Sequence, residues 1–183
     1  RQVLKNIIRQ LSEENLRAVV APELEFYLCE QNLDPDLPLK TPIGKSGRRE
    51  TGSKVFGIDA VNEFDKLTDD IYDYCELMNI GVDTLVHESG PSQIEINLNH
   101  GDPLALADQA FMFKRAVRQV ALKHNIHATF MAKPYQGQPG SSMHIHQNLV
   151  SAKTGKNLFS DEEGNNSKEF FHFIGGLQTY LPD

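Results

Sequence analysis

The sequence predicts an α+β fold, and three observations carry that prediction. Segments with one dry and one polar face, as in strands, are interspersed with stretches whose apolar residues recur every three to four positions. Two of the strand-like segments are joined by Ser89-Gly90-Pro91-Ser92, a tight-turn composition that makes a hairpin. The mixed order of strands and helices does not follow the regular alternation of a doubly wound parallel sheet.

Taken in order, Leu4, Ile7, Ile8 and Leu11 fall at helical spacing, so the first dozen residues form an amphipathic helix. Val19 to Cys29 alternates. Pro22, Leu24, Phe26 and Leu28 point one way and Ala21, Glu23, Glu25 and Tyr27 the other, a strand with a dry face and an acidic face. Leu33 to Lys54 is rich in Pro, Gly, Lys and Arg without periodicity and reads as a long, functional loop. Val61, Phe64, Leu67, Ile71, Cys75 and Met78 predict a helix that Gly81 terminates. Short strands follow over 83–88 and 93–99. Asp102-Pro103 supplies an N-cap and a first-turn proline for a helix whose stripe is Leu106, Ala110, Phe113, Val117, Val120 and Ala121. Strands are expected over 128–133 and 143–150, and a last helix uses Phe170, Phe173, Ile174 and Leu177. There is no internal repeat.

The 183 residues suffice for one ordinary domain with a real core. With 25 acids against 18 bases, the formal charge of -7 argues against nucleic acid as a partner, since that needs basic patches to displace counterions. Together with the charge, Cys29 and Cys75, far apart and without metal-site spacing, predict reduced thiols in a cytoplasmic protein. No apolar run approaches the ~20 residues that span a bilayer, so no membrane partner is expected. The chain starts at Arg1 directly in a helical pattern, which reads as a piece of a longer protein.

The chemistry concentrates on polar strand faces. Alternation puts Glu23 and Glu25 on one face, ~6.5 Å apart. At an effective dielectric of 20, two such charges repel by about 2.5 kcal/mol. Water tolerates this on an exposed face; in a concave site the pair demands protons or cations. Gln93, Glu95, Asn97 and Asn99 share another face, with Glu88 across the turn; alone, this row reads as solvated strand surface. In GSSMHIHQNL, Met143, Ile145 and Asn148 are read as interleaving with His144 and His146, which projects both imidazoles to one side. Carboxylates with one imidazole suit Mg²⁺ or Mn²⁺ better than zinc.

The stretches VVAPELEFYL, HESGPSQIEINLNHGDPLALADQ and ATFMAKPYQGQPGSSMHIHQNL together resemble the catalytic domain of the glutamine synthetase family, from about Val19 onward. The ordered Lys-Pro, short loop, Gly-Ser, His-x-His pattern carries the likeness. The resemblance implies a curved, mainly antiparallel sheet backed by helices, with acids on its concave face. It implies that Glu25, Glu88 and Glu95 ligate the metal that supports glutamate and γ-phosphate chemistry, Glu88 and Glu95 thereby standing at the catalytic centre. Glu23 and His144 are implied as ligands of a second metal that holds the nucleotide phosphates. His146, Asn148 and Asp83 match positions near ATP, and Gly140, preceded by Pro139, matches the loop that contacts glutamate. The implied cofactors are two Mg²⁺ (or Mn²⁺) ions, with ATP, glutamate and an amine or ammonia as substrates. The implied reaction is ATP-dependent ligation through γ-glutamyl phosphate, in a ring-shaped homo-oligomer.

The sequence departs from the family pattern at several positions. Ser142 stands where a small Gly or Ala is usual, Asn148 where Ser is usual, Pro139 where ammonia-using members have Asn, and Val86 where they have His. Near Val55-Phe56 no hydroxyl replaces the tyrosine that helps hold ammonium. These differences, with IDAVNEFD, look more like the γ-glutamyl-polyamine branch. The resemblance further implies that residues 1–183 are the N-terminal half of the catalytic domain. A small β-grasp domain, an arginine-rich segment and one further Glu ligand would lie outside them, so this piece alone is expected to be inactive. A non-catalytic paralogue that kept its metal and nucleotide sites is the alternative.

Overall fold

The computed structural model describes residues 1–181. Its centre is β1 (Leu16–Glu30), which is paired along both edges. One edge holds β3 (Gln93–Leu98), with Glu23 opposite Asn97 and Glu25 opposite Glu95. The other edge is shared end to end. β5 (Met143–Ser151) pairs with residues 16–24 and β4 (Ile126–Thr129) with residues 27–30. β2 (Val82–His87) lies outside β3, and every pairing is antiparallel, giving an open, curved sheet. The strand over 128–133 is therefore displaced towards the N-terminus. Pairing with β1 stops at Thr129, and the segment up to Ser142 becomes a loop that returns the chain to the same edge.

One sheet face is dry. Leu24, Phe26 and Leu28 of β1 and Ile94, Ile96 and Leu98 of β3 are buried against α3 (Asp65–Leu77) and α4 (Pro103–Lys123). From α4 the predicted stripe of Leu106, Ala110, Phe113, Val117, Val120 and Ala121 all reaches this core. The helix starts where Asp102 predicts, its Oδ1 accepting from the N–H groups of Leu104 (3.0 Å) and Ala105 (2.9 Å). α1 (Gln2–Glu13) rests on the edge of the fold without a fully buried residue. α5 (Lys168–Tyr180) is anchored by Phe159, whose ring meets those of Phe170 and Phe173 at 5.8 and 5.1 Å.

The single helix expected from Val61 to Met78 is two. α2 (Ile58–Asn62) ends before α3 begins because the long loop takes the intervening backbone: Lys45 N–H donates to the Glu63 carbonyl at 3.0 Å. The terminator is also different. Asn79, at φ 54°, closes α3, and Ile80 N–H returns to the Cys75 carbonyl at 2.8 Å. Asn tolerates this left-handed conformation because its short amide bonds locally. Gly81 serves contact instead: a Cβ there would lie 2.7 Å from the Asn99 amide. No described helix is long and apolar enough to cross a membrane.

Candidate metal centre

The second face of the sheet collects the acids. Because β1 pairs with β3 on one edge and β5 on the other, Glu23 faces Asn97 and His144, and Glu25 faces Glu95. Glu25 and Glu95 are each only 8% exposed, so two carboxylates stand directly opposite one another with little water. Such a cross-strand pair is destabilising unless a proton or a cation separates the charges. Glu95 shows the strain. Burial first, then the charges of Glu23, Glu88 and Glu25, raise its carboxyl above the ordinary value. Reading 93–99 as solvated surface is thus overturned for its first half: Gln93 is fully buried, and only Asn99 at the far end is exposed.

One ligand atom each from Glu23, Glu95 and His144 lie within 4.8 Å of one another, a spacing that a single cation can bridge. Glu23 is held by both histidines, at 3.1 Å from His144 Nδ1 and 2.7 Å from His146 Nε2. Burial pushes its carboxyl up, but these two bonds outweigh burial and hold it below its ordinary value. Asn97 Oδ1, in the register position beside Glu23, is buried without a hydrogen-bond partner. An orphaned acceptor next to two carboxylates and an imidazole fits a divalent cation or its water.

Glu25 is held differently. The Ser142 N–H donates to its Oε2 at 3.0 Å, the Ser142 hydroxyl caps Oε1, and Gln93 Nε2 donates to Oε2 at 2.8 Å. Glu88 follows β2 directly. Its N–H donates to the Gln93 carbonyl at 2.8 Å, and its charge acts on both Glu95 and Tyr27. The loop before β5 is fastened from below. Gln93 Nε2 reaches the Gly140 carbonyl at 3.0 Å and the Tyr27 hydroxyl reaches the Pro139 carbonyl at 2.8 Å. A Cβ on Gly140 would meet the Ala132 carbonyl oxygen at 2.8 Å, so only glycine lets the two loop backbones come this close.

Two placements differ from the sequence reading. Asn148 does not interleave with the histidines; alternation puts it on their own face, opposite Val19, in line with His146 and His144. Asp83 is exposed at the β2 bulge, and the ionisable group it acts on is the Tyr72 phenol of α3, away from the carboxylates. Sequence reasoning missed Gln93 as a connector, and it missed Glu50 with His87. Glu50 comes from the long loop, its side chain 7% exposed, and meets the buried His87 imidazole at 2.8 Å. A lone Glu in an aperiodic loop carries no signal of burial, so only the folded chain reveals this pair.

Comparison with known proteins points the same way. Residues 1–183 match the family described as glutamine synthetase, catalytic domain. Over the whole chain it is 40% identical to the gamma-glutamylputrescine synthetase of Escherichia coli, covering 39% of that protein. It is 36% identical to the glutamine synthetase of Pyrococcus abyssi over 97% of this chain and 37% of that one. The chain thus spans less than two fifths of the length of these relatives. Among solved structures, a GmaS/ADP complex superimposes with a TM-score of 0.79 at 27% identity, over 95% of this chain and 39% of that one. The cryo-EM structure of Plasmodium falciparum glutamine synthetase, 24% identical, shares the fold with a TM-score of 0.82 over 98% of this chain and 39% of that one.

Proposed function

Because this chain belongs to the glutamine synthetase family, its residues 1–183 all matching the catalytic domain, we propose that the whole protein is an ATP-dependent ligase. It joins an amine to the γ-carboxylate of glutamate through γ-glutamyl phosphate. The observation that carries this reading is the convergence of Glu23, Glu25, Glu95 and His144, from three antiparallel strands, on one half-buried face.

Glu25, Glu88 and Glu95 would hold one Mg²⁺ or Mn²⁺ ion, and Glu23 with His144 a second. Bound there, the ions supply charge neutralisation for transfer of the ATP γ-phosphoryl group. The chain's own residues position the partners. Ser142 and Gln93 fix the Glu25 carboxylate in direction. The Pro139–Gly140 backbone, tied to Tyr27 and Gln93, presents a rigid edge to glutamate. His146 and Asn148 continue the histidine face along the exposed part of β5, where a nucleotide would lie. An oxygen of the glutamate γ-carboxylate attacks the γ-phosphorus and ADP leaves. The neutral amine then attacks the acyl carbon, the bond to phosphate breaks, and the amine gives up a proton. Water must be kept out, because it hydrolyses the acyl phosphate.

The acceptor in this reading is an amine larger than ammonia. Two observations support it: the 40% identity to a γ-glutamylputrescine synthetase, and the 55–58 segment. There Val55, Phe56 and Ile58 are exposed apolar side chains without a hydroxyl, and Phe56 N–H donates to the His87 carbonyl at 2.9 Å, which sets the segment beside Glu88. We place the enzyme in the cytoplasm as a ring-shaped homo-oligomer, with the 183 residues alone inactive. The test is phosphate release by the full-length protein with glutamate, ATP and a panel of ammonia, monoamines and diamines. Release with a diamine, abolished by chelating divalent metal, is expected. Release with ammonia alone would remove the amine assignment. Metal and ATP binding without turnover on any acceptor would make the protein a non-catalytic relative.

A further inference from the structure

The pair formed by Glu50 and His87 has no part in the chemistry above, yet it is among the most deeply buried polar contacts of the described residues. His87 is 1% exposed and sits at the end of β2, one residue before Glu88. Its Nδ1 lies 2.7 Å from the Glu88 carbonyl oxygen and its Nε2 lies 2.8 Å from Glu50 Oε2. A carbonyl oxygen only accepts, so Nδ1 carries the hydrogen. Both peptide groups of Glu88 are therefore held, the N–H by the Gln93 carbonyl at 2.8 Å and the C=O by the His87 ring.

Glu50 ties this arrangement to the long loop. The same Oε2 accepts from the Ser92 N–H at 2.5 Å, on a non-glycine residue with φ 58° that closes the hairpin turn. On the far side the His87 carbonyl accepts from Phe56 N–H at 2.9 Å. The 50–56 segment thus grips the 87–92 turn at three points, around Glu88, whose Oε2 accepts from the neighbouring Ser89 N–H at 3.1 Å.

We propose that His87, oriented by Glu50, is a positioning residue for Glu88: it fixes the Glu88 peptide, and so the direction of the Glu88 carboxylate, while fastening the 50–56 segment over the same turn. The inference rests on the reading of Glu88 as a metal ligand. Supporting groups of this kind change metal affinity by about 10- to 100-fold when removed.

Two nearly isosteric variants of the full-length protein separate this role from burial alone. His87→Asn puts an amide N–H where Nδ1 stands and keeps the bond to the Glu88 carbonyl. His87→Gln reaches the place of Nε2, keeps Glu50 and releases Glu88. Titration with Mn²⁺, followed by the paramagnetic resonance of the free ion, is expected to give H87N within about threefold of the wild type and H87Q weaker by about tenfold or more. Amide hydrogen exchange over residues 86–93 is expected to stay slow in H87N and to quicken in H87Q. Equal behaviour of the two variants in exchange overturns the proposal. If H87Q does not fold, Glu50→Ala takes its place, with faster exchange over 86–93 expected and unchanged exchange overturning the idea. A wild-type protein that binds no Mn²⁺ overturns the metal reading instead, and the exchange comparison still decides the positioning role.

Discussion

Gln93 shows how much one amide can organise. Its Oε1 accepts from Gly90 N–H at 2.9 Å, while its Nε2 serves both Glu25 and the Gly140 carbonyl. Gln93→Ala strands a buried backbone N–H and removes a donor from a buried carboxylate. It is expected to destabilise by roughly 2–4 kcal/mol in urea unfolding, since each orphaned group costs about 1–3 kcal/mol. Gly90→Ala is expected to be at least as damaging, because a Cβ there collides with the hydroxyl and ring of Tyr27, which is fully buried and cannot yield. The two thiols give a pH prediction. Cys29 and Cys75 are 2% and 1% exposed, and burial pushes each thiol from 9.0 up to about 11. A raised acid favours the protonated folded state, so its contribution is intact below pH 9 and is lost as pH rises towards 11. The loss, on the order of 2–3 kcal/mol for each thiol, is expected to shrink in a Cys29→Ala, Cys75→Ala double variant compared by denaturation at pH 8 and pH 11.

At the level of elements, β1 carries most of the positional information. Its alternation is legible over Leu24, Phe26 and Leu28, which face the helices, and over Glu23 and Glu25, which face the candidate metal centre. What alternation does not reveal is that Tyr27 and Cys29, on the supposedly wet side, are buried as well. That side is covered by the returning 130–142 loop, and Tyr135 meets Tyr27 edge-on at 5.1 Å. α4 was readable throughout because cap, first-turn proline and stripe agree. Asp102→Ala is expected to lower stability by about 1 kcal/mol in thermal or urea unfolding, through loss of the two N–H acceptances at the helix start. The α2–α3 break was not readable. Apolar spacing runs through it unbroken, and the interruption comes from a loop residue, Lys45, distant in sequence.

For the whole molecule, the proposed function rests on a sheet with two unlike faces. The dry face is sealed by α3 and α4, which makes the sheet rigid enough to oppose like charges on the other. That opposition stores a demand for a proton or a cation between Glu25 and Glu95. The amine panel belongs to this scale, because in the proposed reading acceptor choice would rest on how the 55–58 segment sits against the 87–92 turn rather than on one residue.

By itself the sequence determined the mixed fold, the dry faces of β1 and α4, the position of the α4 cap, and the residue types of the candidate metal centre. Each of these depends on local spacing, which the chain's covalent geometry fixes. Only the tertiary structure decided that Gln93 and Glu95 are buried, that Glu23 is shared by two histidines, that Asp83 turns away, and that Glu50 reaches His87. Those facts concern which distant segments share an edge or a pocket. Pairing register and loop closure set them, through hydrogen bonds between residues 37 to 123 positions apart, and no periodicity in a single strand encodes such a partner.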